Sequence, residues 1–188
     1  MKTRHGRSRP RPLSARHSMH LVLRSSKARG EWSFRKKGNP QKINVLVQKF
    51  SKRYGVKVIS LANVGNHLHF HLKLSDCETY PAFIRALTAS IAMAVTGASR
   101  WKPFKNCLQE VSSDINSKAS QKFWDYRPFT RFVKGVRAFL KMQDYIEINQ
   151  LEGIGYRKRE AEMFLAHHRD RAWGRAVRAG PRRFSGGI

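Results

Sequence analysis

The segment Asn66 to Leu74 reads NHLHFHLKL. In an extended strand successive side chains point to opposite faces. Leu68, Phe70, Leu72 and Leu74 therefore form one apolar, buried face, and His67, His69, His71 and Lys73 form the other. Two imidazoles two residues apart on a strand stand on the same side, within reach of one small metal ion, and neutral imidazole is a common ligand for divalent metals. The same pattern also arises on the polar face of any half-exposed strand, because a short His-x-His motif discriminates poorly. Its register is open as well, since His67-Leu68-His69 and His69-Phe70-His71 both fit.

A second segment, MQDYIEIN, places Tyr145 and Asn149 four residues apart. On a helix that spacing puts both on one face. The Asn149 carbonyl oxygen suits a hard cation such as magnesium or manganese, and Tyr145, one turn earlier, would hold its hydroxyl beside the same ion. A tyrosine near a helix end also commonly packs its ring, and asparagine is frequent at helix termini.

Together the two segments resemble the single-tyrosine HUH transposases, and within them the REP-associated tyrosine transposases of bacteria. Three motifs carry the resemblance, in the family's order. Asn66-His67-Leu68-His69 matches Pro-Asn/Glu-His-x-His, Phe123-Trp124-Asp125 precedes the last strand, and Asp144-Tyr145-Ile146-Glu147-Ile148-Asn149 matches D-Y-I-x-x-N-P. The chain departs from the family at Gly65 and Gln150, which stand where proline is usual. The alignment of Asn66 favours His67 and His69 over His69 and His71.

The resemblance implies a DNA strand transferase acting on single-stranded DNA near a REP-type hairpin. Tyr145 would be the nucleophile, and His67, His69 and Asn149 would hold Mg2+ or Mn2+. It implies a bacterial, cytoplasmic protein associated with the nucleoid. Monomer and homodimer both remain open.

The composition agrees with a polyanionic partner. The 188 residues carry 38 Lys+Arg against 12 Asp+Glu, a net charge of +26, and an excess of that size favours nucleic acid. With 40% apolar residues and 11 Phe, the chain can still build a core. The longest apolar stretch, Ala86 to Val95, is too short for a bilayer core of about 30 Å. No secretory h-region is apparent at the N-terminus, whose Arg-rich character suits a DNA-contacting arm better than an organellar transit peptide. Cys77 and Cys107 make neither a disulfide framework nor a cysteine zinc site. Acids are too few for a three-carboxylate nuclease, and no Gly-rich phosphate loop announces a nucleotide cofactor.

Basic residues interleaved with aromatics suit single-stranded DNA. Arg127 and Arg131 are expected on one face of the last strand beside Trp124, Tyr126 and Phe129, with at least Trp124 and Phe129 in the core. Arg7, Arg9, Arg11 and Arg16 in the N-terminal arm, with the arginines of the C-terminal tail, are expected to contact phosphate without sequence preference. Charge and aromatics alone would also suit a non-catalytic nucleic-acid-binding module. An HUH nickase of the replication or conjugation type is usually larger.

The elements that would position these residues follow from periodicity and punctuation. Residues 1–16 read as a flexible basic arm, 17–155 as the folded domain and 156–188 as a basic tail. Met19, Leu21 and Leu23 alternate with His20, Val22 and Arg24 in a first strand. Asn39 and Pro40 open a helix with Ile43, Val47, Phe50 and Tyr54 on one face, ended by Gly55. Val56 to Asn63 is a strand, and Gly65-Asn66 a tight turn into the histidine strand. Thr79 starts a second helix bearing Phe83, Leu87, Ile91 and Val95, and an extra element is expected around Trp101 to Val111. Phe123 to Val133 reads as the last strand, Gly135 to Asn149 as a third helix, and Glu160 to Val177 as a further helical piece. The order βαββαβ predicts an α+β, ferredoxin-like antiparallel sheet with helices on one face, followed by the catalytic helix.

Overall fold

The computed structural model describes residues 13–99, 101, 102, 104 and 122–179, with side chains through residue 168. Strand β1 (Ser18–Arg24) leads through a single 3-10 turn (Gly30–Trp32) into α1 (Asn39–Tyr54). Strands β2 (Val56–Asn63) and β3 (His67–Leu74) form a hairpin, followed by α2 (Tyr80–Thr96), β4 (Phe129–Val133), α3 (Val136–Gly153) and α4 (Lys158–Ala179). The sheet order is β2-β3-β1-β4, with every pair antiparallel. This is the expected α+β, ferredoxin-like arrangement.

One face of the sheet carries the main core. Met19 and Leu21 of β1 and Leu68, Phe70 and Leu72 of β3 are fully buried against Ile43, Val47 and Phe50 of α1 and Phe83, Leu87 and Ile91 of α2. Each such side chain contributes about 1.5–3 kcal/mol by leaving water. Helices α1 and α2 thus share a face, as the repeating pattern requires. Helix α3 crosses the opposite face, where Phe139 packs against His71 and Tyr145 against His69.

Local chemistry explains the boundaries. Gly55 ends α1 in a left-handed conformation (φ 63°), its N–H donating to the Ser51 carbonyl. The expected cap at Asn39 is not made. Gly38 occupies that position, and the buried Asn39 side chain donates to the carbonyls of Ser33 (2.8 Å) and Glu31 (3.3 Å), holding the preceding turn to the helix. Gly65 has φ 98°, a conformation closed to proline, and its N–H donates to Asn63 Oδ1. The proline usual in the transposases that this motif resembles could not take up this turn.

The last strand is shorter than expected, beginning at Phe129 rather than Phe123. Residues 123–127 are bends that fasten the β4 lead-in to β1. Phe123 enters the core beside Phe34, the Trp124 indole N–H donates to the Thr88 carbonyl (3.0 Å), and the Asp125 N–H donates to the Arg24 carbonyl. The Asp125 carboxylate accepts from the Ser26 N–H and hydroxyl at 2.7–2.9 Å. Side-chain anchors thus replace a strand ladder, and Pro128 has no N–H to give one. Phe123-Trp124-Asp125 is accordingly a structural clasp.

Helix α3 runs a turn beyond the expected end at Asn149. Leu13 already packs against the core, ahead of the expected onset of order at His17. Arg7, Arg9 and Arg11 lie outside the described residues, as does most of the element expected around Trp101 to Val111. Among the described residues no helix is long and apolar enough to cross a membrane.

Candidate active site

The histidine face is built from three strands by register. In β1–β3 pairing, Arg24 lies opposite His67, Val22 opposite His69 and His20 opposite His71; in β1–β4 pairing, Arg131 lies opposite His20. Directly opposed residues share a face, so His20, His67, His69, His71 and Arg131 all project from one surface. Their depths differ. His71 is fully buried, His69 and His20 are nearly so, and His67 is half-buried.

Each imidazole has a distinct set of partners. His71 Nε2 meets the Ser18 hydroxyl at 2.8 Å, and its ring lies 4.6 Å from that of Phe139. His69 Nδ1 is 3.1 Å from His20 Nε2, while His69 Nε2 is buried without a hydrogen-bond partner. His67 Nδ1 is 2.6 Å from Asn66 Oδ1. Burial removes water that would solvate an imidazolium, and neighbouring positive groups add to the penalty. Burial pushes His69 down to about 3, with His67 and His20 adding to it, and pushes His20 down to about 4, helped by His71 and Arg131. His67 is lowered by burial and by Arg24, and His71 by burial. All four are neutral imidazoles at pH 7.

Helix α3 brings Tyr145 to this surface. Its ring lies edge-on to His69 and His20, with centroids 5.5 and 5.6 Å apart, yet the residue is 43% exposed. Asn149, half-buried one turn later, donates from Nδ2 to the Tyr145 carbonyl at 2.6 Å, so its Oδ1 takes no part in that bond. The helix is tied to the sheet beyond that point. Gln150 Oε1 accepts the Asn63 N–H of edge strand β2 at 2.8 Å, and Gly153 lies so near that a Cβ there would meet the Asn63 carbonyl oxygen at 2.6 Å. A proline at position 150 would lack the N–H and clash with the preceding turn; glutamine lets the helix continue and supplies the tether.

The donor set suits a divalent cation. His67 and His69 each engage Nδ1 inside the protein, the outer-sphere arrangement of metal-binding histidines, and the buried, partnerless Nε2 of His69 is the atom a cation would satisfy. Among the described residues no cluster of three His, Cys, Asp or Glu could hold a metal, so the two histidines would need a further donor of another type. His71 is placed differently, with Nε2 committed to Ser18 beneath Phe139. His67 and His69 are the pair whose Nε2 atoms take no part in the hydrogen bonds described above.

The arginines separate. Arg131 projects from β4 on the histidine face, whereas Arg127 falls in the bends before β4 and cannot share a strand face with it. Arg127 lines a cavity of about 740 Å³ with Trp124 and Tyr126 on the α2 side. Arg16 is exposed just before β1. Trp124 packs against the core, but Phe129 is 44% exposed on the histidine face, its ring 6.3 Å from that of His20. Sequence reasoning missed His20. Its signal was the alternation of β1, which puts it opposite Met19 and Leu21, but only register shows that it meets His69.

The fold and site define an antiparallel ferredoxin-like sheet with a histidine strand faced by a tyrosine-bearing helix. No family model and no curated protein sequence matches this chain. Among solved structures, the chain shares the fold of a REP-associated tyrosine transposase bound to a REP hairpin, with a TM-score of 0.55 at 12% identity over 81% of this chain and 76% of that one. A candidate transposase from Deinococcus radiodurans R1 aligns over 79% of this chain and 98% of its own at 15% identity, with a TM-score of 0.43.

Proposed function

We propose that this protein is a single-tyrosine DNA transposase that cleaves and rejoins single-stranded DNA next to a hairpin. The observation that carries the reading is the convergence of an exposed Tyr145 from α3 with His69 and His20 on the sheet. The phenolic oxygen of Tyr145 attacks a backbone phosphorus and loses its proton. The P–O3′ bond breaks, and the leaving 3′-oxygen takes up a proton. A 5′-phosphotyrosine and a free 3′-hydroxyl result, and attack by another 3′-hydroxyl reverses the step and joins strands. His67, His69 and Asn149 would hold Mg2+ or Mn2+, whose chemistry when bound is charge stabilisation on the scissile phosphate. Arg131, on the same face, and Arg16 contact phosphates, as do Arg7, Arg9 and Arg11 of the arm and Arg127 on the other side of the sheet. The setting that suits this chemistry is the bacterial cytoplasm, at the nucleoid.

The test is a labelled single-stranded hairpin DNA incubated with the protein and Mg2+ or Mn2+, then resolved under denaturing conditions. A denaturation-resistant adduct is expected with wild type and none with Tyr145→Phe. An equal adduct with Tyr145→Phe, or none from wild type across a panel of hairpins, removes the assignment. Binding with no adduct would mark a non-catalytic DNA-binding protein on the same scaffold.

A further inference from the structure

The two ligand-competent histidines are held by different second partners. For His67 the partner is Asn66 Oδ1, which can only accept. His67 Nδ1 must then carry the proton, so its Nε2 keeps a lone pair. For His69 the partner is another imidazole, His20 Nε2, at 3.1 Å inside the protein. One nitrogen of that pair donates and the other accepts. If His20 donated, the His69 proton would sit on Nε2, which is buried and has no acceptor. If His69 donates from Nδ1, its Nε2 becomes a bare lone pair directed into the site, matching His67.

We infer that His20 is a positioning residue: as a neutral Nδ1–H imidazole it accepts the Nδ1–H of His69 at its own Nε2, which fixes the tautomer and ring orientation of His69 and presents the His69 Nε2 lone pair for metal binding. This rests on the reading of His67 and His69 as ligands. Histidine here does what a carboxylate or carbonyl commonly does behind a metal-binding imidazole. Two features of the fold make the arrangement possible. β1 sits beside β3 in the sheet, and the diagonal between positions 20 and 69 lies two residues along β3 from the directly opposed pair, His20 and His71, which keeps both on one face. The two rings are nearly parallel, 11° apart with centroids 5.3 Å apart, and Tyr145 lies edge-on to both. His20 thus touches the ring that would ligate and the ring that would attack.

The experiment uses the full chain without metal, labelled with 15N, and reads the protonated ring nitrogen of His69 by long-range proton–nitrogen NMR. Mn2+ affinity is then measured by titration. In wild type His69 should be protonated at Nδ1. His20→Phe keeps a ring of similar size but offers no acceptor; it should move His69 towards the Nε2–H form and weaken Mn2+ binding by roughly 10–100-fold. His20→Gln restores an acceptor near the Nε2 position and should keep the wild-type tautomer and affinity. A wild-type His69 protonated at Nε2 overturns the inference, as does a His20→Phe protein with unchanged tautomer and affinity. The wild-type spectrum decides even if the phenylalanine variant fails to fold. None of these readouts involves DNA or Tyr145. A missing DNA adduct alongside intact His20–His69 coupling would therefore count against strand transfer alone.

Discussion

In the middle of β3 both faces are buried, but in different materials. On one, Leu68, Phe70 and Leu72 meet α1 and α2 in a hydrocarbon core; on the other, His69 and His71 lie beneath α3 with ring nitrogens that must each be accounted for. Apolar side chains need only fill volume. Buried imidazoles need directed partners, and the cost of leaving one unmatched, about 1–3 kcal/mol, makes an unmatched atom informative. His69 Nε2 is such an atom. The core face holds the sheet together, and the histidine face spends some of that stability on poised groups.

Adjacent residues offer the sharpest way to break this contrast. His69→Ala should reduce hairpin adduct formation by on the order of 10³-fold while the protein stays folded, measured on denaturing gels beside a circular dichroism spectrum. Phe70→Ala, one residue away on the other face, should cost about 3–5 kcal/mol in urea unfolding. If both variants lose activity and stability in parallel, the two faces do not divide the work.

The pH dependence of stability distinguishes the faces next. Because His69 and His20 are held down to about 3 and about 4 in the folded protein, an unfolded chain with imidazoles near 6.5 binds more protons. Stability contributed this way is complete above pH 6.5 and is lost as the pH falls from there towards those folded values, by up to about 1.4 kcal/mol per pH unit for each imidazole. Urea midpoints between pH 7 and 5 should therefore drop in wild type and drop less steeply in His20→Gln. An equal slope in both would show that His20 is not held below its unfolded-state value.

Smaller effects are expected at the edges of the histidine face. Gly65→Pro forbids φ 98° and removes the N–H given to Asn63 Oδ1, so it should lower stability by about 1–3 kcal/mol. Arg131→Ala should leave stability unchanged and reduce the salt slope of single-stranded DNA binding by about one.

Much of the core face was legible along the chain. The period-two alternation of β3, the three- and four-residue spacing of Ile43, Val47 and Phe50, and the stop at Gly55 are local patterns set by backbone geometry. Phe123 to Arg127 misled because alternating aromatics and charges mimic a strand, whereas the side chains of Trp124 and Asp125 reach Thr88 and Ser26, far away in sequence. Asn39 misled in the same way: an N-cap residue type was drawn instead to the carbonyls of Ser33 and Glu31.

By itself, then, the sequence determined which residues of β3 share a face, where α1 stops, and that Tyr145 and Asn149 ride on one side of a helix. Those properties depend on neighbours within a turn or a strand step. Tertiary structure decided how deeply each histidine is buried, that His20 meets His69, that Arg127 and Arg131 part company, and that α3 closes over the second face. Each of these depends on strand register and helix docking between segments tens of residues apart, which no local period encodes.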